Sequence, residues 1–253
     1  MPVSAQPRHT AMPRHTAMPR HTAMPRHTAM PRHTAMPRHT AMPRHTAMPS
    51  QDPPTPPVFP GGYKSEKEFI ATQGPLPGTI ADFWRMVWEQ NSEAIVMVTN
   101  CTELNRVKCE HYWPLDYTPC TYWDITVSVT SETILPEWTL RDFSTDEEES
   151  RTVRHFHFTA WPDHGVPDTT DVLIRFQNLL RSYLNERKRK GSTIVHCSAG
   201  VGRTGTLIAL DYLLQQIQCE QVVDVYGIVH EMRKRRPFMV QTEVSSPALI
   251  TSD

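Results

Sequence analysis

The sequence predicts an α/β fold: a twisted mixed sheet flanked by helices, preceded by a disordered repeat tail. Three observations carry this. Strand-like and helix-like periods alternate from residue 63 onward, as in a sheet with helices packed on its faces. The stretch IVHCSAGVGRTG (194–205) runs from a buried apolar strand through a loop with three glycines into an apolar helix, LIALDYLLQQI. Residues 7–47 hold seven copies of PRHTA separated by single methionines, and proline at that spacing forbids helix and sheet alike.

In chain order, residues 1–62 read as the tail. The repeats have too little apolar surface to bury and are too short to form solenoid units. Their seven histidines could hold a transition metal weakly. DPPTPPVFPGG (52–62) continues the tail as a polyproline-like linker.

Residues 63–253 read as the globular domain, starting near Tyr63. FIATQGP (69–75) is a strand ending in a Gly-Pro turn, and IADFWRMVWEQ after Thr79 has a helical apolar face of Phe83, Trp84, Val87 and Trp88. EAIVMVT (93–99) is a short buried strand. RVKCEHYWP, TYWDITVSVTSETI and EWTLRDF alternate with period two and predict antiparallel strands. DEEES (146–150) is a solvated loop, and RTVRHFHFTAW (151–161) alternates again. Thr170 to Arg187 is an amphipathic helix with Asp168 or Thr169 as candidate caps, and its basic end, ERKRKG, suits the helix dipole. VVDVYGIVHEMRKRR (222–236) is a last helix stopped by Pro237.

Charge and cysteines narrow the function classes. Residues 1–51 carry seven arginines and no acid, whereas the rest has 19 basic and 27 acidic residues, so a net charge of −1 divides into +7 and −8. The globular part is mildly acidic and is not marked as a nucleic-acid binder. Five cysteines at irregular spacing make neither a disulfide framework nor a zinc ligand set. No apolar run is long enough for a transmembrane segment, and the start lacks the apolar region of a signal peptide.

The chemistry concentrates at Cys197, Arg203 and Thr204. At a strand-to-helix turn, the pattern C-x5-R-T places a sulfur at the base of a ring of backbone N–H groups from Ser198, Ala199, Gly200, Val201 and Gly202. Those donors, the positive end of the helix and the Arg203 guanidinium suit a dianion such as phosphate. The same groups stabilise a thiolate, and a reactive thiol needs a reducing compartment, the cytosol or nucleus. The bland alternative is a buried structural cysteine in a glycine-containing turn; the glycines, Thr204 and the strand–loop–helix context weigh against it. WPDHGVP (161–167) offers an acid, Asp163, in a loop whose prolines and glycine let it move as a unit. Closure would bring that acid to a leaving oxygen. Its own bland reading is a type I turn. His164 and His196 are supporting groups, since an anionic nucleophile needs no base.

IVHCSAGVGRTG, WPDHGVP, QGPLPGT, FWRMVWEQ and KCEHYWP together resemble the motifs of protein tyrosine phosphatase catalytic domains. The match is nearest to the receptor-type subgroup with one catalytic domain and fibronectin type III ectodomains. The resemblance implies Cys197 as nucleophile, Arg203 as phosphate ligand, and Asp163 as acid and then base. It implies Thr204 as the hydroxyl that helps the thiolate leave, and Gln241, in MVQTE, as the residue that positions water. Glu103 would orient the arginine, Lys108 would touch the closed acid loop, and His196 and Trp161 would support the site. No cofactor or metal is implied. The implied partners are phosphotyrosine-containing proteins, and the implied location is cytoplasmic, with a longer form as a membrane receptor carrying this domain on the cytosolic side. The loop SAGVG carries no lysine, which weighs against polyanionic phosphoinositides.

The sequence also departs from the family. DPPTPPVFPGG stands where a tyrosine-bearing loop should set pocket depth, and Ser245 stands at a second glutamine. The alternative expectation is therefore a truncated, weakly active or inactive phosphate-binding module, whose FIATQGP strand has an open edge prone to aggregation. Deleting residues 1–50 is expected to change neither turnover nor melting. A stability loss above about 1 kcal/mol, outside ordinary surface scatter, would show that the repeats dock.

Overall fold

The computed structural model describes residues 56–146, 150–162, 170–187 and 191–241. Asp163, His164, the candidate caps Asp168 and Thr169, the middle of DEEES and Ser245 lie outside the described residues. The elements are β1 (Phe69–Gln73), α1 (Ile80–Glu89), β2 (Ala94–Met97), β3 (Thr102–Glu103), β4 (Arg106–Val107), β5 (Cys120–Tyr122), β6 (Ile125–Ile134), β7 (Trp138–Asp146) and β8 (Ser150–Phe158). They continue with α2 (Asp171–Glu186), β9 (Thr193–Cys197), α3 (Gly202–Glu220) and α4 (Val225–Arg235).

Seven strands form one mixed sheet in the order β1-β9-β2-β8-β7-β6-β5, and β3–β4 is a separate hairpin. β9 pairs parallel with β1 on one side and β2 on the other, and β2 pairs parallel with β8. The remaining pairs, β8–β7, β7–β6 and β6–β5, are antiparallel. A strand flanked on both sides and covered on both faces is buried along its whole length and largely apolar, with any polar side chain paired. TIVHC is buried at every position. Its faces divide the core: Val195 and Cys197 join α2, α3 and α4, while Ile194 joins α1. The helices thus cover both faces, as the alternation predicted.

Two helix contacts hold the layers. Phe83, Trp84 and Val87 of α1 are buried, and the Trp84 indole N–H donates to the Tyr112 carbonyl at 2.7 Å. Half-buried Arg181 of α2 joins buried Glu68, at 2.8 Å, to buried Asp211 of α3. At the last helix, the Asp224 side chain accepts from Gly227 N–H at 2.7 Å, and the chain leaves α4 just before Pro237.

Four expectations change. RVKCEHYWP contributes only Arg106–Val107 as strand. Cys109, Tyr112 and Trp113 are all buried, a spacing that no pleated strand can put on one face, so the segment folds inward as a loop. TYWDITVSVTSETI is not one strand but β5 and β6, divided at Trp123, whose φ is 55°. The end of the proline-rich stretch is not wholly linker, and the edge of FIATQGP is not fully open. Val58 N–H donates to Ala71 O at 3.1 Å, and Ala71 N–H returns to Val58 O at 2.8 Å. Among the described residues no helix is long and apolar enough to cross a membrane.

Candidate active site

The loop between β9 and α3 is held from behind, carbonyl by carbonyl. The Cys197 carbonyl lies 3.3 Å from His196 Nδ1. The Ser198 carbonyl accepts from Gly74 N–H at 3.0 Å, and the Ala199 carbonyl from the Arg236 guanidinium at 3.2 Å. In a trans peptide the N–H points opposite to the carbonyl of the preceding residue. With three successive carbonyls turned outward, the N–H groups of Ser198, Ala199 and Gly200 turn into the loop. The last of these reaches Cys197 Sγ at 3.2 Å. This is a donor nest around the sulfur, opening at the N-terminus of a 19-residue helix. Cys197 is buried at the base, and Ser198 and Ala199 are exposed at the rim.

Glycine is required at one loop position for a specific reason. Gly200 has φ +72°, and a Cβ there would lie 2.2 Å from the Thr72 carbonyl oxygen of β1. Gly205 serves a different purpose, since a Cβ there would lie 2.5 Å from Val240 N. That close approach brings the segment after α4 onto the start of α3, where Val240 N–H donates to Val201 O at 3.1 Å. The Arg233 guanidinium secures the same segment through the carbonyls of Met239 and Val240, at 2.9 and 2.7 Å. Gln241 is thereby placed beside the loop, its Oε1 at 3.4 Å from where a Gly202 Cβ would be.

Arg203 is oriented by a carboxylate from the β3–β4 hairpin. Glu103 accepts from Nη1 at 2.5 Å and from Nη2 at 3.0 Å, the forked pairing that fixes a guanidinium plane. Thr99 Oγ1 and Asn100 N–H donate to the same carboxylate at 3.0 and 3.1 Å. Burial pushes the Glu103 carboxyl up, but Arg203, the Asn100 N–H and the Thr99 hydroxyl more than offset it and hold it below its ordinary value of 4.5. A depressed carboxyl contributes stability that is full above 4.5 and is lost as pH falls toward the folded value. Glu103→Gln should therefore cost about 1.5–3 kcal/mol at neutral pH, the worth of a charged hydrogen bond. The difference from wild type should shrink as a urea titration series is taken below pH 4.5.

Arg203 Nη2 also donates to the Pro162 carbonyl at 3.1 Å, and its guanidinium stands 5.6 Å from the Trp161 ring centroid. Trp161 is buried against Phe158. The arginine thus touches the first two residues of WPDHGVP, while Asp163 lies outside the described residues. Thr204 is fully buried, and its hydroxyl has no hydrogen-bond partner among the described residues. Lys108 is half-buried after β4, with its N–H on the Cys101 carbonyl at 2.8 Å. No ion pair of its ammonium occurs among the described residues.

Cys197, Ser198–Gly202, Arg203, Thr204, Gln241, Glu103, Trp161 and His196 are therefore brought together around one loop. Sequence reasoning missed Arg236 and Thr99. Arg236 sits in the run RKRR, where it looks like one more helix-end cation. Its 4% exposure and its bonds to the Pro56, Ala71 and Ala199 carbonyls are visible only in three dimensions.

Comparison with known proteins bears on the whole region. The family profile described as Protein-tyrosine phosphatase matches residues 59–245. The chain is 60% identical over 185 residues to receptor-type tyrosine-protein phosphatase eta of Mus musculus, covering 72% of this chain and 15% of that protein. It is 54% identical over 188 residues to receptor-type tyrosine-protein phosphatase H of Homo sapiens, covering 73% and 17%. It is also 49% identical over 182 residues to phosphatidylinositol phosphatase PTPRQ of Homo sapiens, covering 71% and 8%. The chain thus spans less than a fifth of each of these relatives. Several separated motifs in one order, a nest of N–H groups around a cysteine and a match over most of the chain have one common account: the chain belongs to the protein-tyrosine phosphatase family.

Proposed function

We propose that this protein hydrolyses phosphotyrosine in proteins through a phosphocysteine intermediate. The observation that carries this is the loop with its carbonyls tied outward and its N–H groups converging on Cys197 Sγ, with Arg203 pinned at its mouth by Glu103. In the first step Cys197 Sγ attacks phosphorus and the bond to the aryl oxygen breaks. The developing charge on the phosphoryl oxygens is met by the N–H groups of Ser198–Gly202 and by Arg203. Asp163 gives its proton to the leaving phenolic oxygen. In the second step Gln241 orients a water, Asp163 takes its proton, and the sulfur–phosphorus bond breaks. Thr204 offers its hydroxyl to the departing thiolate, and inorganic phosphate leaves. His196 and Trp161 hold the loop and the acid segment, and Lys108 meets the acid loop when it closes. No resident cofactor or metal is assigned a part.

The catalytic unit is read as residues 63–253, with residues 56–62 as the seam that reaches β1 and the repeats as its tail. A cytoplasmic location suits a thiol nucleophile, and a longer form could be a membrane receptor with this domain on the cytosolic side. Proteins bearing phosphotyrosine are favoured over phosphoinositides because SAGVG has no lysine to meet extra phosphates.

The test is rapid acid quench of the full chain during turnover of an aryl phosphate, with mass spectrometry of the Cys197 peptide. A phosphate adduct on Cys197 is expected. Asp163→Ala should slow turnover by about 10²-fold, the usual worth of a positioned acid, with little change in substrate affinity. Turnover at full rate with no adduct, or an unimpaired Asp163→Ala enzyme, would overturn the mechanism. A phosphoinositide cleaved faster than a phosphotyrosine peptide would overturn the substrate class.

A further inference from the structure

Behind the loop, three buried rings meet at one oxygen. The Tyr112 hydroxyl lies 2.8 Å from His155 Nε2 of β8 and 2.8 Å from His196 Nε2 of β9. All three side chains have 0% exposure. A phenol has one proton and a neutral imidazole has one N–H, so the arrangement has a direction that can be worked out.

Burial pushes His155 well below its ordinary value and His196 down to about 3, so both rings are neutral at neutral pH. Burial raises Tyr112 well above its ordinary value, so its hydroxyl keeps its proton. The other charged or titratable groups facing this cluster are Arg141 and His157 beside His155, and Cys109 and Cys101 beside Tyr112. His157 is itself neutral and bonded to the Thr99 carbonyl at 2.9 Å.

The deciding contact is at the far end. His196 Nδ1 lies 3.3 Å from the Cys197 carbonyl oxygen. With a proton on Nδ1 the contact is a hydrogen bond. With a bare Nδ1 it sets two lone pairs against each other in a dry interior. Nδ1 therefore carries the proton, Nε2 accepts, and the Tyr112 hydroxyl is its donor. The Tyr112 oxygen is then free to accept from His155 Nε2–H. This leaves His155 Nδ1 as a bare acceptor, and that atom has no hydrogen-bond partner among the described residues. In the reverse direction the same atom would be an orphaned N–H, the rarer and costlier fault in a protein interior. Among the described residues the other acceptor near the hydroxyl, Met97 Sδ at 3.8 Å, is weak and would leave His196 facing the carbonyl with a bare nitrogen.

We propose that His155 is a positioning residue which, through Tyr112, holds His196 in its Nδ1–H tautomer and so locks the first peptide plane of the phosphate loop. The Cys197 carbonyl is the first of the three turned outward, and the opposite side of that peptide is the Ser198 N–H that faces the nest. His155 touches neither the sulfur nor substrate; it acts on the Cys197 carbonyl through three successive hydrogen bonds. This inference rests on the functional reading only for its effect on rate.

The test is long-range proton–nitrogen correlation on the full chain labelled at histidine nitrogens, with signals assigned by single His→Gln variants. The expected result is a protonated Nδ1 and bare Nε2 for His196, and the opposite for His155. His155→Leu should move the His196 ring signals toward tautomer exchange and slow aryl phosphate turnover about tenfold. His155→Gln, whose amide can donate from the Nε2 position, should restore both to within about threefold of wild type. A wild-type His196 protonated at Nε2 would overturn the proposal. So would a His155→Leu chain with unchanged His196 signals. If His155→Leu does not fold, the wild-type spectrum still decides through the His155 ring. The ring signals do not depend on turnover, so an inactive chain with these protonation sites would sink the functional reading and leave this one standing.

Discussion

Cys197→Ser is expected to lose aryl phosphate turnover by at least about 10⁴-fold, the scale seen when a covalent nucleophile is removed. The reason is chemical rather than steric. The N–H groups turned toward Sγ can stabilise a thiolate, but a serine hydroxyl stays protonated near neutrality and is a poor nucleophile toward a phosphomonoester. The nest itself should survive, because the outward bonds of the Cys197, Ser198 and Ala199 carbonyls do not involve the sulfur. Oxyanion binding, read by protection from thermal unfolding with vanadate or phosphate, should therefore persist. Residual turnover near the wild-type rate would remove Cys197 from its role. Loss of both turnover and oxyanion binding would mean that the sulfur is structural.

Gly200→Ala is expected to be nearly as damaging to activity, and it should also be visible in stability. Left-handed φ costs a side-chain-bearing residue roughly 1–2 kcal/mol. The added Cβ would also meet the Thr72 carbonyl carbon and oxygen at 2.3 and 2.2 Å, backbone atoms of a paired strand that cannot swing aside. Either β1 moves away from β9, or the loop lifts off β1 and takes the Gly200 N–H away from the sulfur. We expect destabilisation of about 2–4 kcal/mol by urea unfolding, the range of strain plus overpacking. Turnover should fall by at least about 10²-fold, on the scale of losing one oxyanion donor. Gly78→Ala is the control, because a Cβ there would meet nothing within 4 Å. A Gly200→Ala enzyme with wild-type melting and turnover would show that the loop does not need its left-handed turn.

Much of the fold was readable along the chain. The apolar strand, glycine loop and helix at 194–205 are local, because strand burial, left-handed turns and helix onset are each decided within a few residues. The face of α1 was legible for the same reason, and Pro237 marks the end of α4 by the missing N–H of its own ring. Where the reading failed, apolar residues belonged to a non-local packing site. Cys109, Tyr112 and Trp113 look like members of a strand until β8, β9 and α1 are in place to receive them together. Val58 looks like part of a proline linker until Ala71 offers it an edge.

For the site, the sequence by itself determined which chemistry is available: a cysteine six residues before an arginine, an adjacent hydroxyl, and glycines where a loop must turn. Covalent order suffices for this, since Cys197 through Gly205 are near one another whatever the rest of the chain does. Only the tertiary structure decided which distant groups hold that loop. Glu103, Arg236, Gly74 and the His155–Tyr112–His196 row come from a hairpin, a helix end and four separate stretches of the main sheet and its loops. Hydrogen bonds are short and directional, so each contact depends on the register of the whole sheet. Such register is a collective property of the sheet, and no single stretch of the chain carries it.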